Sequence, residues 1–386
     1  MNKLAIVITH PIQYNAPIFK DLTAKGIICK VFYTWGETVL QNKFDPDFGK
    51  TIQWDIPLLE GYDYEFCNNI SEEPGSHHYK GIVTPYLIQS ILQYKTTHLL
   101  VFGWNFKSHL KVLHYFKGKI PVMFRGDSTL LDQPSGFSFK GVVRKIFLSW
   151  VYKHIDTALY VGTANKAYYK NVGLKETQLV FAPHAIDNKR FGEITEEQER
   201  WIIATKENAS ISEDAISIVF CGKLQVQKNP FLLIQAVNKI QQKNVHLFIV
   251  GNGVLENKLK EQAANNNNIH FLPFQNQSLM PAVYRLGDIF CLPSQSETWG
   301  LTVNEAMASS KAILVSDKAG CAKDLVKDGI NGYIFESGNL NDIIETLTVM
   351  ASNKNGLNVM GKSSYEMIQP WSFASIVEAL SVLLRN

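Results

Sequence analysis

The sequence carries no surplus of either charge and no long apolar run. Its 38 Lys and Arg against 35 Asp and Glu leave a formal net charge of +3. The cations form no clustered stripe of the kind a phosphate-tracking protein carries, so nucleic acid is not an expected partner. No stretch approaches the roughly eighteen consecutive apolar residues that a membrane span needs, which predicts a protein that is soluble or attached only peripherally. The opening MNKLAIVITHPIQ holds the short apolar run LAIVI before Thr9, His10 and Pro11, and reads as a first strand rather than a signal peptide. Cysteine is scarce. Cys29, Cys67, Cys221, Cys291 and Cys321 are odd in number and scattered, with no Cys-x-x-Cys pair, which excludes a disulfide framework or a zinc knuckle and fits reduced thiols in a cytosolic protein.

What is present is globular. The 386 residues are 46% apolar and 19% charged, enough for two domains of roughly 150 to 200 residues. Short runs rich in β-branched residues alternate with longer amphipathic ones: LAIVIT, CKVFYT, HLLVFG, IPVMFRG and TALYVGT. After a charged, strand-poor stretch the pattern restarts with ISIVFCGK, HLFIVGNG, IHFLPF, DIFCLPS, KAILVSD and GYIFES. Strands apolar at nearly every position belong to parallel sheets covered on both faces. The expected class is therefore α/β with two Rossmann-like domains, 1–192 and 215–365, joined by a linker region at 193–214, with a C-terminal helix at 366–386 that could pack back on the first domain. Ligands are expected at the C-terminal ends of the strands, in a crevice between the sheets.

One segment concentrates the chemistry. In SQSETWGLTVNEAMASS, Gly300 permits a tight turn and LTVNEAMA can start a helix directly after it. The backbone N–H groups of Gly300, Leu301, Thr302 and Val303, with the positive end of the helix dipole, suit a diphosphate. Glu297 precedes the helix and Glu305 lies about a turn inside it, so two carboxylates can bracket a ligand rich in hydroxyls. The plain alternative is a capped helix with two solvated glutamates. A second signal, GKLQVQKNPFLLIQAV, places Gly222, Lys223 and Lys228 on the loop after strand 216–221. Two cations there would neutralise a departing nucleoside diphosphate, work done elsewhere by Mg²⁺. Either lysine alone reads as a solubilising surface residue.

These blocks, with LFIVGNGVLENKL, LMPAVYRLGDIFCLPS, KDLVKDGINGYIFESGN and, more weakly, YVGTANKAYYKNVG and FAPHAIDNKRF, resemble the retaining glycosyltransferase family 4, of GT-B fold (glycosyl transferases group 1). The resemblance implies a nucleotide-sugar donor linked to UDP, GDP or ADP, a saccharide or lipid-linked acceptor, retention of anomeric configuration, no metal or other cofactor, and a place in surface polysaccharide or glycolipid assembly. It implies that Lys223 and Lys228 bind the donor diphosphate, Lys223 standing where many members have Arg and so lacking the bidentate fork. It also implies that Glu297 contacts the donor sugar, that Glu305 holds the ribose hydroxyls, and that Gly251, Gly253, Pro273 and Phe274 line the nucleoside side. Rivals fit less well. A phosphorylase-like enzyme needs a pyridoxal lysine in a much longer chain, a sugar-nucleotide epimerase needs another carboxylate and histidine set, and a non-catalytic homologue acting as a scaffold would be favoured by loss of residues that are all present.

The N-terminal half departs from the family pattern. The first strand is followed by His10, Pro11, Ile12, Gln13 and Tyr14 instead of a Gly-Gly loop, and Arg125-Gly126-Asp127 stands where many members carry a His. Arg125 is expected to act as a cation near the phosphates, as an acceptor clamp, or as the partner of Asp127 in a turn. The sequence KFDPDFGK mimics an Asp-x-Asp metal motif at Asp45 and Asp47 but is a Pro- and Gly-marked turn. His77, His78, His109 and His114 lack completing ligands and read as surface or partly buried residues. FKGVVRKIFLSWVYKHID, from Phe139, mixes cations with large apolar residues. It reads either as a core helix with a basic edge or as a helix lying on an anionic membrane surface, which would put the protein on the inner face of the membrane.

Overall fold

The computed structural model describes residues 2–37, 43–45, 50–52, 54–131, 138–242 and 244–385. The chain forms two compact units, Met1–Lys43 with Pro57–His184 and Phe373–Asn386, and Phe44–Ile56 with Ala185–Ser372. In chain order come β1 (Lys3–Ile8), α1 (Ala16–Ala24), β2 (Ile28–Tyr33), a two-stranded ladder of β3 (Lys43–Asp45) and β4 (Lys50–Ile52), and β5 (Asp63–Phe66). There follow α2 (Leu87–Gln93), β6 (His98–Phe102), α3 (Lys107–Phe116), β7 (Val122–Arg125), α4 (Phe139–Tyr152), β8 (Thr157–Tyr160), α5 (Thr163–Asn171) and β9 (Leu179–Phe181).

The second unit continues with α6 (Asn188–Gly192), α7 (Glu196–Asn208), β10 (Ile216–Cys221), α8 (Pro230–Lys239), β11 (Val245–Val250), α9 (Glu256–Ala263) and β12 (Ile269–Leu272). Next are α10 (Met280–Arg285), β13 (Ile289–Leu292), α11 (Leu301–Ala308), β14 (Ala312–Ser316), α12 (Ala322–Leu325), β15 (Gly332–Phe335), α13 (Leu340–Ala351) and α14 (Lys354–Ile368). The last helix, α15 (Phe373–Leu383), belongs to the first unit.

The first sheet has the order β5-β2-β1-β6-β7-β8-β9 and the second β12-β11-β10-β13-β14-β15, with every recorded pairing parallel. The apolar runs explain this. All six residues of β10 and all six of β11 are buried, as strands flanked by helices on both faces must be. Each sheet reverses its direction of growth once, between β1 and β6 and between β10 and β13. At such a switch point adjacent crossovers run to opposite faces and leave a gap at the strand C-terminal ends.

The boundaries differ from the sequence expectation. Residues 193–214 are no linker: Thr195 and Gln198 form a capping box that starts α7, which packs on α10 within the second unit. Phe44–Ile56 also joins that unit, where Asp55 accepts the Ser278 N–H at 3.1 Å. The returning C-terminal segment begins at Phe373 rather than 366. There α15 lies on α1 with Lys25 and Glu378 3.3 Å apart. The five cysteines are buried and free. Among the described residues no helix is long and apolar enough to cross a membrane.

Candidate active site

In the second unit the two loops at the switch point are tied directly to each other. The Gln295 N–H donates to the Gln227 carbonyl at 2.8 Å, and the Lys228 ammonium pairs with the Glu297 carboxylate. Lys228 closes a single 3-10 turn, Val226–Lys228, and Lys223 stands half-buried near the start of the same loop. The β13 loop is held from its other side: the Glu297 N–H donates to the Lys318 carbonyl at 3.2 Å and the Glu297 carbonyl accepts from the Gly320 N–H at 3.0 Å. Trp299, 2% exposed, donates its indole N–H to the buried Asn304 at 2.9 Å and lies 5.1 Å from the Trp371 ring. The loop is thus fixed by its own backbone and a buried tryptophan before any ligand arrives.

Gly300 turns this loop into α11. Its φ of +101° lies in the left-handed region and a Cβ would come 2.9 Å from Leu292 Cδ2, so glycine alone fits. The helix has no side-chain cap. The Val303 N–H is taken by the Gly300 carbonyl at 2.9 Å, which leaves the Leu301 and Thr302 end of the turn as the part suited to an anion. Thr302 Oγ1 is buried there without a protein partner.

Glu305 sits one turn further on and accepts a hydrogen bond from the Tyr284 hydroxyl at 2.5 Å. Burial pushes its carboxyl up to about 7, against the Tyr284 hydrogen bond and the charge of Arg190, which both favour the ionised form. Arg190 is itself held by Gln277, with Nη2 3.0 Å from Oε1. A carboxylate poised this way accepts hydrogen bonds from vicinal hydroxyls once ionised.

The glycines after β10 and β11 serve close backbone approach. A Cβ on Gly251 would lie 2.1 Å from the Gly222 carbonyl oxygen, and one on Gly253 2.5 Å from that of Leu224. Asn252, which the sequence did not single out, links this loop to the next: its Oδ1 accepts the Phe274 N–H at 2.9 Å and its Nδ2 donates to Glu256 at 2.9 Å. Pro273 and Phe274 are positioned by that bond.

In the first unit His10, Tyr14, Arg125 and Asp127 stand at or beyond the C-terminal ends of β1 and β7. Arg125 is tied to the backbone of its own unit. It is 4% exposed and donates from Nη1 to the Ala182 carbonyl at 2.7 Å and from Nη2 to the Pro183 carbonyl at 2.8 Å. The guanidinium therefore pins the backbone after β9, and burial lowers its pKa to about 10. Next to it lies His184, which no sequence motif marks. Its Nε2 lies 3.8 Å from Asp127 and its ring packs edge-on to Tyr14 at 6.2 Å, with burial holding the imidazole toward neutral. His10 bonds Thr9 at 2.9 Å and meets Trp35 edge-on at 5.3 Å.

Among the described residues no three His, Cys, Asp or Glu side chains gather in a metal-binding group. His109 is fully buried rather than at the surface, bonded to Thr34 at 2.8 Å and to the Gly103 carbonyl at 3.0 Å. Pro46 and Asp47 of the Asp-Pro-Asp sequence lie outside the described residues.

Comparison with known proteins places these features. Residues 202–367 match the family described as Glycosyl transferases group 1. The architecture is the GT-B fold: solved Anabaena HepE in complex with UDP and glucose aligns over 100% of both chains with a TM-score of 0.72 at 14% identity. Among curated proteins, a sulfoquinovosyl transferase from Arabidopsis thaliana is 26% identical over 172 residues, which is 44% of this chain and 32% of that protein. An Escherichia coli UDP-Gal:alpha-D-GlcNAc-diphosphoundecaprenol alpha-1,3-galactosyltransferase is 26% identical over 271 residues, 64% of this chain and 66% of that one.

Two outcomes follow from these contacts. The folded-state pKa of Glu305 lies above the ordinary value of 4.5, so its ionisation removes stability as pH rises from that value through 7. Glu305→Gln escapes this loss. Its thermal-melt advantage over wild type should be larger at pH 8 than at pH 5, by roughly 1–3 kcal/mol, and equal advantages would contradict the assignment. Arg125→Leu strands two buried carbonyls and should cost roughly 2–4 kcal/mol in urea unfolding, while Arg125→Lys restores only part because it lacks the fork.

Proposed function

We propose that the chain is a retaining, metal-independent glycosyltransferase of family 4 that moves a sugar from a nucleotide-sugar donor to a hydroxyl of a saccharide or lipid-linked acceptor. The observation that carries this reading is the Lys228–Glu297 pair beside an uncapped helix start, at the switch point of a sheet whose sequence matches Glycosyl transferases group 1. A diphosphate entering at Leu301 and Thr302 draws the Lys228 ammonium and frees Glu297 to accept hydrogen bonds from the donor sugar, while Lys223 adds a second positive charge. Glu305 takes the ribose hydroxyls. In the reaction the bond from the anomeric carbon to the phosphate oxygen breaks and one to the acceptor oxygen forms on the same face. The acceptor proton passes to the departing phosphate. That relatives act on a sulfoquinovosyl group or a diphosphoundecaprenol acceptor, as their names state, supports a role in polysaccharide or glycolipid assembly.

A thermal-shift screen against UDP, GDP, ADP and their sugars identifies the base, since a ligand bound only by the folded state raises the melting temperature. With that donor, turnover should persist in EDTA and the product should show the donor's anomeric configuration by NMR. Lys228→Ala and Glu297→Gln should each lower kcat by about 100-fold or more, and Glu305→Ala should weaken donor binding. Binding of nucleotide sugars with no turnover on any acceptor would instead identify a non-catalytic homologue, and an inverted product would overturn retention.

A second outcome follows from Glu305. Nucleotide affinity in wild type should fall as pH drops below about 7, by up to about tenfold per pH unit, because the protonated carboxyl accepts poorly. Calorimetric titration of Glu305→Gln should give a weaker but flat profile.

A further inference from the structure

The helix α4 presents its apolar residues the wrong way round for a core helix. Its inward face is short: Leu148, Val151 and Tyr152 are buried. Phe139, Val143, Ile146, Phe147 and Trp150 recur at helical spacing on one stripe and are exposed by 79%, 51%, 66%, 44% and 44%. At about 100° per residue the centre of this stripe lies about 150° from the buried face, so it points away from the first unit's core. Lys140 flanks it at about 75° on one side and Lys153, at the C-terminal end, at about 65° on the other, while the exposed Arg144 and Lys145 stand further round, about 115° and 145° from the stripe centre; no acidic residue occurs from Phe139 to Ile155.

The platform is built in advance. Ser138 caps the helix by accepting the Gly141 N–H at 3.1 Å. Trp104 meets Phe147 edge-on at 5.7 Å, and Phe147 stacks on Trp150 at 5.9 Å. Binding therefore needs no folding of the helix.

We propose that α4 docks the protein on an anionic lipid bilayer, with the apolar stripe in the headgroup and acyl boundary and the flanking cations on the lipid phosphates. Apolar residues bordered on both sides by cations, with a protein core behind, is the arrangement an interfacial helix requires. Charge selects this occupant over a second copy of the chain, because a two-fold contact through α4 would set like-charged faces against each other. The proposal does not depend on the transfer reaction, and its test reads lipid binding alone.

Full-length protein is floated with vesicles of phosphatidylcholine alone or with about one third phosphatidylglycerol, at low and high salt. Wild type should float with the anionic vesicles and not with the neutral ones, less so at high salt. The double variant K140E/K153E should lose about 25-fold or more in affinity, each cation near the surface being worth about fivefold. Val143→Asp with Ile146→Asp should lose binding while circular dichroism stays native, since both side chains are exposed. The control K239E/K258E, with the same net charge change on the second unit, should still bind. Folded wild type that fails to float with anionic vesicles overturns the proposal, as does binding that the α4 variants leave unchanged. A dimer in sedimentation velocity that Ile146→Asp dissociates would assign the stripe to a second copy instead.

Discussion

The second unit depends on one constraint, the reversal of its parallel sheet at β10. Because the chain runs outward through β11 and β12 and returns to β13 on the other side of β10, the loops after β10 and β13 sit side by side. Only there can Lys228, at the end of one loop, reach Glu297 on the other. The Gln295–Gln227 backbone hydrogen bond fixes that approach. Around it the remaining parts follow: Gly300 bends the chain into α11 at a left-handed φ, Trp299 anchors the bend to Asn304, and Glu305 is carried to Tyr284. A buried carboxyl beside a phenol opposes folding once ionised, and such a cost persists where a ligand compensates it.

The first unit uses its buried polar groups differently. Arg125 donates to two backbone carbonyls and so holds the chain after β9. Asp127 is half-exposed at the same loop cluster, and His184 touches both it and Tyr14. The same unit carries α4, whose stripe meets Trp104 at Phe147 and is otherwise exposed.

What could be read from the sequence was local. Strand, loop and helix from Asp288 to Ala308 are consecutive, so Glu297, Gly300 and Glu305 were placed by spacing alone, and the apolar runs marked the parallel strands because both faces of such strands are buried. The errors were all non-local. Residues 193–214 look like a linker because α7 is polar and no residue of it is buried, yet it docks on α10. Phe44–Ile56 joins the second unit through partners more than two hundred residues away.

Two parallel α/β units and the glycine turn into α11 were legible in the sequence, since these depend on periodicity and on backbone geometry within a few residues. Which charges meet was settled by the packing of distant segments. It paired Lys228 with Glu297 across 69 residues and set Tyr284 on Glu305 across 21. It also turned Arg125 inward to carbonyls 57 and 58 residues away, and the stripe of α4 outward. Ion pairing and burial are decided by distance in space, and the order of strands in a sheet, which no local pattern encodes, sets that distance.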